Sequence, residues 1–459
     1  TYRKSSAAGA GKLIVAYLRE NQSEPEKDAR FERERSDPIR ENSDRLTTYY
    51  TGRDGRGMWS PDMGHRIADA LGIDVMKVPT DQALANLFEA KRADTGEKWA
   101  NTGRKREHSA IDFTASPDKS VTLAAEFAST DAERALIWSA IHKANDKAMA
   151  FIAKEVGVAR RGSGKTATLE GGEVAWVSFR HYTARPVMKI QDGAKGPTAA
   201  VEVPVPGDPQ AHIHNLLLNA VATESGHLGS LDSARITSAT SFMFGAYFQA
   251  ELASELRKLG IAVHVDESGR AIAIDGVPRE ACELFSKRHS QAEKTGKAYA
   301  QRQGLDWNDL SAERKFSILH NANLAYRSKK YNGSNDKEFW LAQAHEIGWY
   351  HDTVLTNEKA QPSGRAERYE LAYVIAAKQL AEESRTAAVL DRDTFRTHAA
   401  RGLIAAGLDG MQDVERVADP VQERGLEING EQGRFLQRDL DRRPRVAPSP
   451  TAPPAHEAS

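Results

Sequence analysis

The chain has 459 residues, of which 40% are hydrophobic and 28% are charged, which is ordinary for a globular protein of two or three domains. Its 63 basic and 64 acidic side chains give a net charge of −1, so overall charge does not indicate a nucleic-acid partner. The single cysteine excludes an internal disulfide and a cysteine-rich zinc module. No apolar run approaches the roughly 20 residues that span a bilayer, and no signal peptide opens the chain, so a cytoplasmic location is expected.

The first fifty residues combine a short helix with a highly charged segment. Residues 11–20 fit a helix in which Leu13, Ile14 and Tyr17 share one face, so Tyr17 taken alone is expected to be a core residue. Residues 21–44 mix both charges with almost no apolar side chains, which indicates a solvated insertion. Tyr49 and Tyr50 follow that insertion.

Helical patterns are expected over residues 66–92, 130–157 and 235–260, while residues 119–127 fit either a strand or a helix. Residues 160–166 resemble a phosphate-binding loop in composition. Such a loop needs a strand before its glycines and a helix after them. Here the helix over 130–157 precedes it, and Glu170-Gly171-Gly172 indicates a turn before a strand over 173–181. A basic turn is therefore favoured over ATP binding.

Two histidines in an apolar run are the main candidates for a metal site. His212 and His214 are two residues apart within 208–219, so on a strand both imidazoles point to the same face. Such a pair alone is more often structural than a metal site. Antiparallel pairing with the strand over 173–181, across a long loop at 187–207, would add His181. The three form a candidate divalent-metal site.

Two other classes of function use similar residues. A cupin-type oxygenase needs a glutamate a few residues after the histidine pair and a later histidine. Residues 215–220 contain no carboxylate and the third histidine lies upstream, so this alternative fits poorly. A sequence-specific DNA-binding protein that retains a metal only for its structure stays open as an alternative.

Several motifs resemble those of the MobF-class conjugative relaxases, which belong to the histidine-hydrophobe-histidine endonucleases. Phe179-Arg180-His181-Tyr182-Thr183-Ala184-Arg185, followed by Asp208 to His214 and Asn219, resembles the metal motif of that family. Asp112-Phe113-Thr114-Ala115-Ser116-Pro117-Asp118-Lys119-Ser120-Val121 resembles its carboxylate motif. Further similarities, in the family's order between about Tyr17 and Gly348, lie at Arg160-Arg161-Gly162, Tyr247 to Gly260 and Phe285 to Arg288.

The resemblance implies an α+β fold in which helices flank a central antiparallel sheet, the relaxase-like palm, with a C-terminal helical extension. Residues 1–350 would form the DNA-nicking domain. Residues 351–412, including a separate helical piece at 365–408, resemble the start of the family's helicase part. Residues 413–459 would be a linker and a disordered proline-rich tail.

The implied reaction is site-specific nicking of single-stranded DNA at a transfer origin, in which a tyrosine forms a reversible 5′-phosphotyrosine bond and frees a 3′-hydroxyl. Tyr17 matches the family's first tyrosine, and Tyr49 and Tyr50 match its second pair. Leu18 stands where many relatives carry another tyrosine, and the gap to Tyr49 is longer than usual.

In this scheme His181, His212 and His214 hold one divalent metal, while Asp112 orients a histidine or helps to take the phenolic proton. The family is described with Mg or Mn, although three imidazoles also suit Ni or Zn. Expected partners are origin DNA, relaxosome accessory proteins and coupling proteins, in the bacterial cytoplasm. The DNA-binding candidates are Arg104, Lys105, Arg106, Lys119, Arg185, Lys287 and Arg288.

Overall fold

The computed structural model describes residues 2–4, 57–99, 108–162, 168–184, 189–191, 198–200, 207–266, 269–310, 314–315, 318–319, 336–355, 364–384, 390–428 and 431–433. The strands are β1 (Tyr2–Lys4), β2 (Met58–Trp59), β3 (Ala110–Ala115), β4 (Val158–Arg161), β5 (Thr168–Glu173), β6 (Trp176–Thr183), β7 (Lys189–Gln191), β8 (Thr198–Ala200), β9 (Pro209–Leu218), β10 (Val221–Thr223), β11 (Leu228–Gly229), β12 (Val263–Val265), β13 (Ile272–Ile274), β14 (Leu426–Ile428) and β15 (Glu431–Gly433). The helices are α1 (His65–Leu71), α2 (Asp81–Phe88), α3 (Lys119–Glu126), α4 (Asp131–Val156), α5 (Ser238–Lys258), α6 (Arg279–Leu284), α7 (Lys287–Arg302), α8 (Asp336–Glu346), α9 (Arg365–Ser384), α10 (Arg392–Ala406) and α11 (Gln412–Arg424).

A five-stranded antiparallel sheet with the order β1–β3–β9–β6–β2 forms the centre of the fold. Its middle strand, β9, is buried at every position except Gln210 and His212, which are half-buried. A strand buried on both faces requires a nearly continuous apolar sequence, which explains the apolar run around the histidine pair. The predicted α+β class with a central antiparallel sheet is confirmed.

Helices cover both faces of this sheet. On one face, Phe113, Ile213 and Leu217 pack in a core with α4 and α5, and α4 contributes Ile137 and Ile141. On the other face, α1 and α2 pack over a second core. That second core contains Val177, Phe179, Leu216 and Leu218 of the sheet. The sheet is therefore the middle layer of three.

A smaller antiparallel sheet has the order β11–β10–β5–β4. The predicted turn at Glu170 to Gly172 is wrong, because these residues pair with β4 and β10 inside β5. Gly172 is required there, since a Cβ would lie 2.4 Å from the carbonyl oxygen of Ala222. The segment that resembles a phosphate-binding loop begins in β4 and leads towards β5, which pairs antiparallel with β4. Its residues 163–166 lie outside the described part. The next described element is strand β5, whereas nucleotide binding would require a helix there.

Three predictions of local structure need adjustment. Residues 66–92 form two helices, and α1 ends at Gly72, which has the left-handed φ of +65° that favours glycine. Residues 119–127 are resolved in favour of a helix, α3, whose N-cap Asp118 accepts a hydrogen bond from the amide of Ser120. The loop predicted at 187–207 contains the short hairpin β7–β8.

The C-terminal helices are not a separate piece. Ala372 of α9, Leu403 of α10 and Val414 of α11 belong to the same buried core as α4 and α5. The ordered structure also passes the predicted boundary at residue 412, because α11 runs to Arg424 and the hairpin β14–β15 reaches residue 433. Residues 434–459, which include the proline-rich segment, lie outside the described part of the chain.

Among the described residues, no helix is both long and apolar enough to cross a membrane.

Candidate metal centre

Three histidine side chains meet at one end of the central sheet. Strands β6 and β9 pair antiparallel, with His181 opposite His212 and Phe179 opposite His214. The ligand nitrogens of the three lie within 4.8 Å of one another. Ring centroids are 4.8 Å apart for His181 and His214, and 5.1 Å for both pairs that include His212. The predicted antiparallel pairing is confirmed, and it brings the three imidazoles together as expected.

The site lies on the sheet face that carries the second core. His212 and His214 share this face with Leu216 and Leu218, because alternate strand residues point the same way. His181 shares it with Val177 and Phe179. At the far end of the face α1 and α2 cover the apolar residues of the second core, so the histidines lie at the opposite end of these strands.

Asp112 contacts His214 from the neighbouring strand β3. Its Oδ2 atom lies 2.8 Å from Nδ1 of His214, and both side chains are largely buried. The hydroxyl of Thr114, two residues along the strand, lies 3.3 Å from the same ring nitrogen and 3.4 Å from Oδ1 of Asp112. Since a carboxylate only accepts hydrogen bonds, Nδ1 of His214 carries the proton and Nε2 is left as the ligand atom.

His212 is oriented by its own strand. Its Nδ1 lies 2.9 Å from the carbonyl oxygen of Gln210. A carbonyl is also an acceptor only, so Nδ1 donates and Nε2 again becomes the available nitrogen.

This donor set fits a divalent metal. Two of the three imidazoles have a fixed tautomer that exposes Nε2, as is usual for metal-binding histidines. His181 is fully buried and His214 is 8% exposed, so a bound ion would be largely shielded from water. Among the described residues the cluster contains no carboxylate, which separates it from the two-histidine, one-carboxylate sites of oxygenases.

A buried amide pair supports the site from the opposite face of the sheet. The side chains of Asn145 on α4 and Asn215 on β9 donate hydrogen bonds to each other, at 2.9 and 2.7 Å. Asn215 also accepts a hydrogen bond from Ser178 at 2.6 Å and donates one to the carbonyl oxygen of Phe113 at 3.0 Å. The network joins β3, β6 and β9 directly beneath the histidines. The sequence offers one signal for this network, because Asn215 is a polar residue directly after His214 inside an apolar run.

Lys119, predicted as a DNA contact, is directed into the protein. Its Nζ donates a hydrogen bond of 2.6 Å to the carbonyl oxygen of Pro209, at the start of β9. Burial lowers the pKa of its ammonium group to about 8, and the nearby carboxylate of Asp208 opposes that shift. The structure therefore assigns Lys119 a contact with the ligand strand rather than an open basic surface.

Two further helices contact the segment that leads into β9. Lys287, at the start of α7, donates from its backbone amide and from Nζ to the carboxylate of Asp208, at 2.9 and 2.8 Å. The indole of Trp340 on α8 donates to the carbonyl oxygen of Gly207 at 3.0 Å. Lys287, a second predicted DNA contact, is half-exposed but has one partner in Asp208 and another in Gln343.

Seven predicted site residues fall in segments that are not described. The three tyrosines and four of the basic residues lie outside the described part of the chain: Tyr17, Tyr49, Tyr50, Arg104, Lys105, Arg106 and Arg185. Arg288 lies on α7, but only its backbone is described.

Two residues within the matched motifs have structural contacts. Asn219 donates to the carbonyl oxygen of His108 and accepts from the amide of Leu231, so it holds the turn after β9. Tyr247 is buried on α5 and donates to Glu251 at 2.7 Å, and burial raises the pKa of its phenol. Neither contact involves the histidine cluster.

Comparison with known proteins gives one family and a set of similar folds. A sequence profile described as TrwC relaxase matches residues 14–347. A metal-bound complex of the conjugative relaxase TrwC with oriT DNA has a TM-score of 0.52 and 22% identity, covering 76% of this chain and 99% of that one. A copper-bound complex of the same relaxase with oriT DNA has a TM-score of 0.50 and 22% identity over the same shares. No curated protein matches the chain.

Proposed function

The chain belongs to the TrwC relaxase family, and from that premise we propose that it nicks one strand of DNA at a transfer origin by tyrosine transesterification. The observation that carries this proposal is the cluster of His181, His212 and His214 on paired strands, with Asp112 bound to one of the rings. The solved complexes of similar fold contain oriT DNA and a metal, which supports the same reading.

The three histidines would hold one divalent cation through their ring nitrogens. When bound, such a cation withdraws charge from the non-bridging oxygens of a phosphodiester and favours attack on phosphorus. Neutral imidazoles favour Mn, Ni or Zn over Mg, whereas the family resemblance favours Mg or Mn. We propose Mn or Mg as the ion used in the cell, and Ni or Zn as ions that a purified sample can carry.

A tyrosine would supply the nucleophile. Its phenolate oxygen forms a bond to the scissile phosphorus, the bond from phosphorus to the 3′ oxygen breaks, and that oxygen takes up a proton to become a 3′-hydroxyl. One phosphodiester replaces another, so the step is nearly isoenergetic and can run backwards to rejoin a strand. We assign this role to Tyr17 on the family match, and a later strand transfer to Tyr49 or Tyr50.

Asp112 is better suited to position a ligand than to accept the phenolic proton. One of its oxygens lies against Nδ1 of His214, and the other is within 3.4 Å of the hydroxyl of Thr114. Holding His214 with Nε2 exposed raises the basicity of that ligand and reduces its rotational freedom.

The DNA would be held by basic side chains. The proposed contacts are Arg104, Lys105, Arg106, Arg185, Lys287 and Arg288, of which Lys287 also holds Asp208. Accessory proteins of the relaxosome and a coupling protein remain proposed partners, and the bacterial cytoplasm remains the proposed location.

The proposal is tested by incubating the protein with Mn²⁺ and the single strand that spans the transfer origin of the encoding element. A denaturing gel should show a covalent protein–DNA adduct, and peptide mapping should place the DNA on Tyr17. The Tyr17→Phe variant should give no adduct. The Tyr247→Phe variant alters a core tyrosine and, as long as it folds, should still form the adduct. Tight binding of the strand without any adduct, in wild type with metal present, would instead favour an origin-binding protein.

A further inference from the structure

The part of β9 that leads to His212 extends beyond its neighbouring strand. β3 pairs with β9 from Ala110 opposite Leu218 as far as Ala115 opposite Ile213, and stops there. Residues 209–212 therefore continue without β3 beside them. Backbone groups at such an end need other partners when they are buried.

Helix α3 supplies those partners through two side chains. The hydroxyl of Thr122 accepts a hydrogen bond of 3.2 Å from the amide of Ala211, and both residues are fully buried. Lys119 donates to the carbonyl oxygen of Pro209 at 2.6 Å. Positions three apart lie on the same face of a helix, so one face of α3 holds both residues of β9.

These two contacts lie on either side of Gln210. The carbonyl oxygen of Gln210 is the group that accepts from Nδ1 of His212. Fixing the peptides of Pro209 and Ala211 therefore fixes the direction of the carbonyl between them. That carbonyl in turn sets the tautomer and the rotation of the His212 ring.

Helix α3 is itself held in place at its first turn. Asp118 accepts hydrogen bonds from both the amide and the hydroxyl of Ser120. The hydroxyl of Ser120 accepts a hydrogen bond of 2.9 Å from the amide of Ile274 on β13. The helix can thus act as a rigid support for the end of β9.

We propose that Lys119 and Thr122 are positioning residues for the metal centre, which hold the entry of β9 so that His212 presents Nε2 to a divalent cation. This inference relies on the proposed function only in requiring that the three histidines bind a metal. It gives Lys119 a role that does not involve DNA.

The test measures metal binding rather than nicking. Mn²⁺ is titrated calorimetrically into metal-free wild-type protein and into Lys119→Met and Thr122→Val, which keep the side-chain shape but remove the polar group. The dissociation constant should rise about 10- to 100-fold in each, as for other groups that orient metal ligands. Thr122→Ser keeps the hydroxyl, and Lys154→Met changes an exposed lysine at the end of α4; both should bind like wild type.

A second measurement separates positioning from general loss of stability. In ¹⁵N-histidine spectra of the metal-free protein, His212 should be protonated at Nδ1 in wild type and should lose that preference in Lys119→Met and Thr122→Val. Folded variants that keep both the wild-type tautomer and wild-type Mn²⁺ affinity would overturn the inference. If wild type itself binds neither Mn²⁺ nor Mg²⁺, the proposed function fails, and the tautomer comparison still decides whether α3 orients His212.

Discussion

Asp112 and His214 lie on neighbouring strands of the central sheet, and their side chains meet at 2.8 Å on the face that carries the histidine cluster. They are not directly opposite each other, since Asp112 pairs with Leu216 and Thr114 pairs with His214. The contact is thus diagonal, over a distance that cross-strand neighbours can span. It determines which nitrogen of His214 faces a metal, and it gives the aspartate a defined task.

Replacing Asp112 should weaken metal binding without unfolding the protein. In Asp112→Ala the Nδ1 proton of His214 loses its charged acceptor, so we expect an affinity for Mn²⁺ about 10- to 100-fold lower by calorimetry. Asp112→Asn keeps a carbonyl acceptor, so its affinity for Mn²⁺ should lie between those of wild type and Asp112→Ala. Asp94→Asn, which alters an exposed ion pair with Arg92, is the matched control and should bind normally. Equal affinity in wild type and Asp112→Ala would exclude the orienting role.

Loss of any one histidine of the cluster should abolish tight metal binding. His181→Ala, His212→Ala and His214→Ala each leave two ligands, which is too few to retain a divalent ion at micromolar concentration. Dialysed samples analysed by elemental mass spectrometry should then contain far less metal than wild type. His65→Ala, at an exposed position on α1, serves as the control and should retain it. Retention by one cluster variant alone would show that its histidine is not a ligand.

Because α9 and α10 pack closely, one added methyl group at Gly402 should lower the stability of the protein. A Cβ on Gly402 would lie 2.3 Å from the carbonyl oxygen of Ala372, a backbone atom that cannot move away alone. Gly402→Ala should therefore lower the free energy of unfolding by about 1–3 kcal/mol. Gly245→Ala is the control: it lies in α5, and apart from its chain neighbours and the backbone of its own helix no atom lies within 4 Å of the added Cβ. This variant should be neutral or more stable by up to about 1 kcal/mol. Calorimetric midpoints of the two variants would decide the question.

Buried His142 predicts a specific sensitivity to acid. Burial, assisted by the charge of Arg180, lowers the pKa of its imidazole to about 3 from an ordinary value of 6.5. Below pH 6.5 the unfolded chain binds a proton that the folded protein does not, so stability falls by up to about 1.4 kcal/mol per pH unit until pH 3 is approached.

The comparison uses a residue that cannot titrate at this position. His142→Gln should lose stability less steeply between pH 6.5 and 4.5 than wild type, as measured by urea unfolding midpoints at several pH values. The absolute stability at pH 7.5 is not the test, because glutamine packs differently beside Trp138. If stability falls equally steeply with pH in wild type and His142→Gln, His142 is not the source of the acid sensitivity.

The sequence predicted the sheet face and the three histidines because period-two patterns are local and strong. His212 and His214 needed only strand alternation, and His181 needed only an antiparallel partner. The predicted turn at Glu170 to Gly172 is wrong because the glycine at 172 serves another purpose. It lets the backbone of Ala222 pass close by, and a contact between distant parts of the chain cannot be read from the local sequence. Lys119 shows a similar limit: its basic charge predicts a DNA contact, while its position on α3 directs its Nζ to the carbonyl oxygen of Pro209.

The boundary predicted at residue 412 is wrong because tertiary packing stabilises the helix that follows it. Residues 413–424, predicted to be part of a linker, are mostly polar and carry Pro420 inside the helix. Four apolar residues at helical spacing nevertheless bury one face of α11 against the common core: Val414, Val417, Ala418 and Val421. Packing of that face overrides the low helix propensity of the segment.

Covalent trapping tests the central claim most directly. Wild-type protein, Mn²⁺ and single-stranded origin DNA should yield an adduct whose digested peptide carries a 5′-phosphotyrosine at Tyr17, together with a free 3′-hydroxyl on the released strand. The His212→Ala variant should give far less adduct under the same conditions. DNA cut without any protein attached, or an adduct that forms equally well in His212→Ala with metal removed, would contradict the account.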